Sequence, residues 1–167
     1  PRVRLTVTLI AQPARELRGR NARDACCGAV LWRAALRAER PTLAYPGVDP
    51  SEYATRRFGA QRNIRRGDIA SLNALRIRGP FDVILCNDVL HYVPTLELRA
   101  GMTALVKRLR GVAYLGLFTS ADDIEGDMQR YIKRPPSFYQ REFARAGLRS
   151  VGMHCWIPAP LAEDRAA

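Results

Sequence analysis

The sequence predicts an α/β fold, a doubly wound and mostly parallel sheet with helices on both faces, whose last strand or strands are antiparallel or missing. Three observations favour it. Residues 83–87 are mostly apolar and are closed by the polar pair Asn87-Asp88, a short run typical of a strand covered by helices on both sides. Strand-like and helix-like segments alternate along the chain. Asp49, Asp68 and Asn87 each follow a predicted strand, at intervals of nineteen residues, roughly one strand and one helix per step.

In the first half of the chain, residues 22–27 are the expected first strand, because residues 30–39 behind them have helical apolar spacing and Pro41 closes that helix. The next expected strand, residues 42–48, contains Pro46, which has no N–H for a sheet ladder. Shorter units follow: a helix at 52–58 capped by Ser51 or Asp49, a strand at 63–66 and a helix at 70–75.

The second half has longer elements. Gly79-Pro80 breaks the chain before the strand that starts at Phe81. Residues 96–109 carry an apolar face at helical spacing, so they predict an amphipathic helix, and Gly111 is expected to end it as a C-cap. After it we expect a strand at 112–119, a helix at 137–146 stopped by Gly147, and a last strand at 148–157.

Length and composition predict one domain: 167 residues with 47% hydrophobic content can bury a sizeable core. We expect a poorly defined N-terminal extension at 1–20, the main domain at 21–158 and a loose tail at 159–167. The chain starts at Pro1, which suggests a fragment, a processed form or an imperfect gene model.

The location and metal content are also predicted. The sequence has no apolar run long enough to cross a membrane and no secretory signal in residues 1–10. The four cysteines lack Cys-x-x-Cys and metal-ligand spacing, so we expect reduced thiols, a cytoplasmic protein and no metal site.

The net charge of +11 comes almost wholly from arginine, since Lys107 and Lys133 are the two lysines. A basic chain invites a nucleic-acid partner. The arginines are scattered, however, without the basic and aromatic interleaving that stacks bases. We therefore prefer a solvated arginine-rich surface and expect no nucleic-acid partner; the oligomeric state is not readable.

The polar residues after the strands predict a ligand site. In open α/β sheets ligands bind just beyond the carboxyl ends of the strands. Asp49, Asp68 and Asn87 would therefore line one binding edge. The alternative is that Asp49 and Asp68 only cap the helices that follow them.

These motifs resemble those of Rossmann-like S-adenosylmethionine-dependent methyltransferases, over residues 24–156. The segment 47–51 looks like the family's second-strand motif, which implies that Asp49, beside Pro50, holds the ribose hydroxyls. The segment 67–69 resembles the third-strand motif, which implies that Asp68 takes the adenine amino group and Ile69 packs on the ring. The segment 81–92 is similar to the fourth-strand motif, which implies that Asn87 lies beside the methionine part and the substrate.

The chain departs from the family at its most diagnostic motif, D-x-G-x-G-x-G. Residues 24–30 keep Asp24 and the middle glycine, Gly28, as implied cofactor contacts, but Cys26 and Val30 replace the other two glycines. Glycine there leaves room for the ligand and accepts positive φ, which a β-branched residue does poorly. The resemblance thus implies a cofactor site that is weakened.

The expected function is methyl transfer from S-adenosylmethionine to a small-molecule acceptor. One alternative is a catalytically inactive methyltransferase-like binding or scaffold protein, and a second is an RNA methyltransferase. His91 is the candidate catalytic base for a hydroxyl acceptor, with Tyr92 and Asp88 beside it; the alternative is that His91 is a structural residue or a pocket wall.

The basic segment after the fifth predicted strand is where this family often builds its substrate lid. Tyr131 and Tyr139 flank it, and we expect Tyr139 in the core and Tyr131 at the surface. Its cations, Arg130, Lys133 and Arg134, could attract an anionic acceptor, but a solvated loop is the preferred interpretation.

Overall fold

The computed structural model describes residues 22–25, 31–39, 41–42, 45–75, 79–123 and 129–163. The predicted N-terminal extension, residues 1–20, lies outside them, as do residues 26–30 and 164–167. The described strands are β1 Ala22–Ala25, β2 Gly47–Asp49, β3 Ile64–Arg66, β4 Phe81–Asn87, β5 Leu109–Gly116, β6 Leu148–Gly152 and β7 Cys155–Pro158.

These strands form one sheet in the order β3-β2-β1-β4-β5-β7-β6. β1 to β5 are mutually parallel, and β7 lies antiparallel between β5 and β6. The predicted fold, mostly parallel with antiparallel strands at its end, is confirmed. The chain runs outward from β1 to β3 and then returns to β4, so the strand order reverses between β1 and β4.

Helices cover both faces because the strand side chains alternate between them. The α-helices among the described residues are α1 Leu31–Glu39, α2 Glu52–Arg62, α3 Thr95–Val106, α4 Pro136–Arg145 and α5 Ala159–Glu163, with 3₁₀ helices at Ala70–Asn73 and Leu90–Tyr92. In β4, Ile84 and Cys86 enter a core with α3 and α4, while Val83 and Leu85 enter a second core with α1 and α2.

The end of α3 differs from the prediction. The helix stops at Val106, and Leu109 belongs to β5, where it pairs with Phe81. Gly111 is buried inside β5 and is not a helix cap. The apolar spacing continued smoothly from helix to strand, so periodicity alone could not separate the two elements.

The C-terminal strand was also predicted wrongly. Residues 148–157 form the antiparallel pair β6 and β7, because Gly152, Met153 and His154 take positive φ values of 91°, 50° and 61° and reverse the chain. Residues 159–163, expected to be loose, form the short helix α5.

Pro46 is compatible with the sheet because it lies just before β2. The strand begins at Gly47, so Pro46 precedes the ladder and removes no hydrogen bond from it.

Helix α2 is longer than predicted. It runs to Arg62, four residues beyond the predicted end at 58, and Asn63 closes it in the left-handed conformation with φ 53°.

Candidate functional site

The carboxyl end of β2 is a tight polar turn built on Asp49. The side chain is 5% exposed, and its Oδ1 accepts a hydrogen bond from the Ser51 N–H at 2.8 Å. Ser51 Oγ accepts from the Ala54 N–H at 3.2 Å and so caps α2. Asp49 therefore shapes the turn, while the capping of α2 itself falls to Ser51. Pro50 is exposed between them.

The segment after β3 is joined to that turn, because the Gly67 N–H donates to the Asp49 carbonyl at 3.0 Å. Asp68 is exposed, and three hydrogen bonds join it to Ser71: Oδ1 accepts from the Ser71 N–H at 2.7 Å, the Asp68 N–H donates to Ser71 Oγ at 2.8 Å, and the Ser71 hydroxyl donates to the Asp68 carbonyl at 3.1 Å. The N-cap of the 3₁₀ helix Ala70–Asn73 is Ile69, so Asp68 stabilises the turn just before the helix, a structural role close to the capping alternative expected from the sequence.

Ile69 points into the core and not toward solvent. Its side chain is 1% exposed, and a Cβ at Gly101 of α3 would lie 2.6 Å from its Cγ1. The adenine contact implied for Ile69 by the resemblance thus falls on a side chain already covered by α3.

The carboxyl end of β4 positions Asn87 and Asp88. Asn87 Nδ2 donates to Asp88 Oδ2 at 2.6 Å, and the Asn87 side chain occupies space that a Cβ at Gly116 of β5 would fill. Asp88 turns the chain with φ 56°, and its N–H donates to the Gly116 carbonyl at 2.9 Å. The glycine at the end of β5 thus makes room for the polar pair at the end of β4.

His91 follows in the 3₁₀ helix Leu90–Tyr92 and is the centre of an aromatic cluster, which we define as His91, Tyr92, Phe118 and Tyr131. Its ring centroid lies 4.2 Å from Tyr92, 5.3 Å from Phe118 and 5.6 Å from Tyr131. His91 is 1% exposed, whereas Tyr92 and Phe118 are 41% and 38% exposed. The Phe118 main-chain N–H donates to His91 Nδ1 at 3.2 Å. Because Nδ1 accepts this bond, the neutral ring carries its proton on Nε2.

The aromatic cluster is closed by residues 129–135, which we call the strap. The Ile132 N–H donates to the His91 carbonyl at 2.9 Å, which brings the neighbouring Tyr131 ring onto the imidazole. The Ser120 N–H donates to the Arg134 carbonyl at 2.8 Å and ties the strap to the segment after β5. Tyr131, expected at the surface, is thus part of the aromatic cluster, while Tyr139 is buried in the core as expected.

Arg134 was expected in a solvated loop, but it is 7% exposed. Its Nη1 donates to the Val93 carbonyl at 2.9 Å and its Nη2 to Thr95 Oγ1 at 3.1 Å. The guanidinium lies 4.7 Å from the Phe138 ring centroid. Arg134 thus fastens the strap to the start of α3. The sequence did not predict this role, because the basic and proline residues around Arg134 are typical of a solvated loop.

The charges at this edge influence one another. Burial lowers the pKa of His91, while the nearby Asp88 carboxylate acts in the opposite direction. Burial raises the pKa of Asp88, opposed by His91, the Asn87 hydrogen bond and His154. Burial also raises the pKa of Tyr131. Asp88 thus interacts electrostatically with both histidines, although they belong to distant parts of the chain.

The predicted site residues divide into two described groups and one that lies outside the described residues. Asp49, Pro50, Asp68 and Ile69 follow β2 and β3, and Asn87 and His91 follow β4; all of these strands end at the same edge. Asp24 lies in β1 between them, paired with Gly47 and Leu85. Cys26 and Gly28, like Val30, lie outside the described residues.

In the part of the chain that the structure describes, no group of three His, Cys, Asp or Glu residues could hold a metal ion. No helix among the described residues has the length and apolarity needed to cross a membrane.

The sequence matches no protein-family model and no curated protein. Solved structures do match. An O-methyltransferase family protein from Burkholderia thailandensis is 16% identical with a TM-score of 0.61, over 90% of this chain and 53% of that one. The sugar N-methyltransferase KedS8 from Streptoalloteichus is 19% identical with a TM-score of 0.64, over 86% of this chain and 78% of the other.

A third structure, CalS10 with S-adenosylmethionine bound, is an amino pentose methyltransferase from Micromonospora echinaspora. It is 15% identical with a TM-score of 0.70, over 92% of this chain and 89% of that one. The chain spans about half the length of the O-methyltransferases that it matches. It has the fold of the S-adenosylmethionine-dependent methyltransferases, as the sequence motifs predicted.

Proposed function

We propose that the chain is an S-adenosylmethionine-dependent methyltransferase that acts on a small-molecule acceptor. The observation that carries the proposal is the polar edge where the strand order reverses between β1 and β4, the place where doubly wound sheets bind their ligands. The small-molecule acceptors of KedS8 and CalS10, a sugar and an amino pentose, support the class of acceptor.

The residues at this edge fit the cofactor chemically. S-adenosylmethionine carries positive charge on its sulfonium and amino groups, and Asp88, bonded to Asn87 at the end of β4, places a carboxylate where the methionine part would lie. When bound, the cofactor supplies a methyl group activated by the positive sulfur.

The predicted contacts other than Ile69 keep the roles that the sequence motifs imply. Asp49, next to Pro50, would hold the ribose hydroxyls, Asp68 the adenine amino group and Asn87 the methionine part. Ile69 is covered by α3 and is not included as a contact with the adenine ring. Asp24, Cys26 and Gly28 would form the wall contributed by β1 and the segment after it.

The protein's task in such a reaction is to align donor and acceptor and to exclude water. The aromatic cluster includes His91 and Tyr92, which follow Asn87 and Asp88 at the same end of the sheet, so it would form the acceptor side of the site. The strap covers His91 and keeps bulk water from its imidazole. A cytoplasmic location remains part of this proposal.

Calorimetric titration with S-adenosylmethionine tests the proposal. We expect binding in the micromolar range, lost in Asp49→Ala and kept in the control Asp123→Ala, whose side chain is exposed. No detectable heat at millimolar cofactor would instead favour the inactive scaffold. Two observations give that alternative its weight: Cys26 and Val30 replace glycines, and Asp68 is already bonded to Ser71.

The double variant Cys26→Gly with Val30→Gly separates a weakened site from an absent one. Strain of about 1–3 kcal/mol at a non-glycine residue with positive φ corresponds to roughly ten- to a hundredfold in affinity, so restoring glycine should tighten binding by that factor. The RNA methyltransferase alternative predicts retention on a polyanion column with a steep dependence on salt.

A further inference from the structure

We propose that the acceptor is an amine, held between the Asp88 carboxylate and the aromatic cluster. This inference rests on the proposed function and specifies the substrate class of the same site. Three observations support it: both ring nitrogens of His91 are unavailable to act as a base, positive charge develops on the acceptor during methyl transfer, and Tyr131 Oη has no hydrogen-bond partner among the described residues.

His91 is poorly placed to act as a base. Its Nδ1 accepts the Phe118 N–H at 3.2 Å, and the neutral ring therefore has its proton on Nε2. Neither nitrogen then offers a free lone pair for a proton. A hydroxyl acceptor must lose its proton as it reacts, and His91 cannot take it. The Asp88 carboxylate is too weak a base for so weak an acid as an aliphatic hydroxyl, so the arrangement disfavours hydroxyl methylation. His91 is instead a positioning residue that fixes the rings around it.

An aliphatic amine binds as its ammonium, which is a far stronger acid than a hydroxyl. The Asp88 carboxylate would take one proton from the ammonium and pass it to water, which leaves a lone pair on the nitrogen. That pair would form the new N–C bond while the methyl–sulfur bond breaks; the bonding electrons stay on sulfur, which becomes a neutral thioether, and the positive charge moves to nitrogen, so the product leaves as the methylated ammonium. The protein stabilises this step by placing negative charge where the ammonium develops.

Asp88 and the exposed rings supply that stabilisation. The left-handed turn at Asp88, with φ 56°, and the 2.6 Å bond from Asn87 hold the carboxylate at the end of β4. Tyr92 and Phe118 keep part of their rings in solvent at the same edge, although large apolar side chains are normally buried. Aromatic faces attract ammonium groups, and a carboxylate beside them adds a charged partner.

The polar surroundings of Asp88 and the aromatic cluster fit an amine that carries a second polar group. Tyr131 Oη is buried and has no hydrogen-bond partner among the described residues, so a polar substituent on the acceptor would satisfy it. The titratable groups around Asp88 and His91 are Tyr92 on the same turn, Tyr131 on the strap, Asp122 after β5 and His154 between β6 and β7.

The test compares two probes of matched shape, cyclohexylamine and cyclohexanol. Their binding is followed by NMR through the His91 imidazole and the Tyr92 and Phe118 rings, and their methylation through transfer of labelled methyl from S-adenosylmethionine. The chain has two histidines, so His154→Gln assigns the His91 signals. We expect the ring signals to report at least about tenfold tighter binding of the amine than of the alcohol.

The variants decide which groups are responsible. Asp88→Asn should weaken amine binding by about ten- to a hundredfold and leave the alcohol unchanged, with Asp123→Asn as the control. Phe118→Leu should weaken amine binding by about three- to thirtyfold. Equal or tighter binding of the alcohol, an unaffected Asp88→Asn variant, or no ring response to either probe would overturn the inference. Because probe binding is read without turnover, such a failure is distinguishable from a failure to bind the cofactor.

Discussion

Replacing Arg134 by methionine should loosen the strap and destabilise the fold. The change keeps a long side chain but removes the donors to the Val93 carbonyl and to Thr95 Oγ1. Val93 is itself buried, so its carbonyl would be left without that partner. Arg134→Met therefore tests whether a buried cation holds the strap against the start of α3.

The magnitude follows from these contacts. Leaving the buried carbonyl unsatisfied costs about 1–3 kcal/mol, and losing the stacking on Phe138 adds about 0.5–2 kcal/mol. Part of this loss is offset in the variant, because the Arg134 guanidinium has no carboxylate partner among the described residues and its burial as a charge is itself unfavourable. We expect a net loss of about 2–3 kcal/mol in the free energy of unfolding.

Urea unfolding followed by circular dichroism measures the loss, with Lys133→Met as the matched control. Lys133 is the preceding residue of the same strap and is exposed, so its replacement should change the free energy by less than about 0.5 kcal/mol. In Arg134→Met the Tyr131 ring should also leave His91, which NMR detects as a change in the imidazole signals. If both variants unfold alike and the imidazole signals stay unchanged, the strap is not held by Arg134.

Two further predictions concern packing and pH. Gly101→Ala places a Cβ 2.6 Å from Ile69 Cγ1 and 2.9 Å from the Ile69 carbonyl oxygen, so it should lower the free energy of unfolding by about 1–3 kcal/mol despite the better helix propensity of alanine. In the control Gly59→Ala in α2, the Cβ would meet only the Ile64 carbonyl at 3.3 Å, so the free energy of unfolding should stay unchanged or rise. Equal losses in the two variants would contradict the packing argument. Burial lowers the pKa of His91 in the folded state, so the unfolded chain binds its proton more readily. This stability is full above the unfolded pKa of about 6.5 and is lost as the pH falls through the folded value. Unfolding at a series of pH values should show this loss in the native chain and less of it in His91→Gln, and identical profiles would contradict it.

The sequence could predict the sheet because its signals are local. The apolar run of β4 between a helix breaker and a polar pair specifies a strand covered on both faces, and the structure has it at Phe81–Asn87. Polar residues after β2, β3 and β4 were enough to predict a ligand edge, because parallel strands must end together. The errors fall where one apolar pattern runs through a boundary, as from α3 into β5, or where a turn such as Gly152 to His154 divides a strand-like run.

Only the tertiary structure decided the chemistry at that edge. Sequence made His91 a candidate base, but the bond from the Phe118 N–H, twenty-seven residues away, determines which nitrogen carries the proton. Sequence placed Arg134 in solvent, yet long-range bonds to Val93 and Thr95 bury it. Secondary structure follows from local spacing, whereas a side chain's protonation and partners depend on groups that only folding brings near. For this chain the sequence therefore determined the sheet and the polar edge where its strands end, and the fold determined which partners the residues at that edge have.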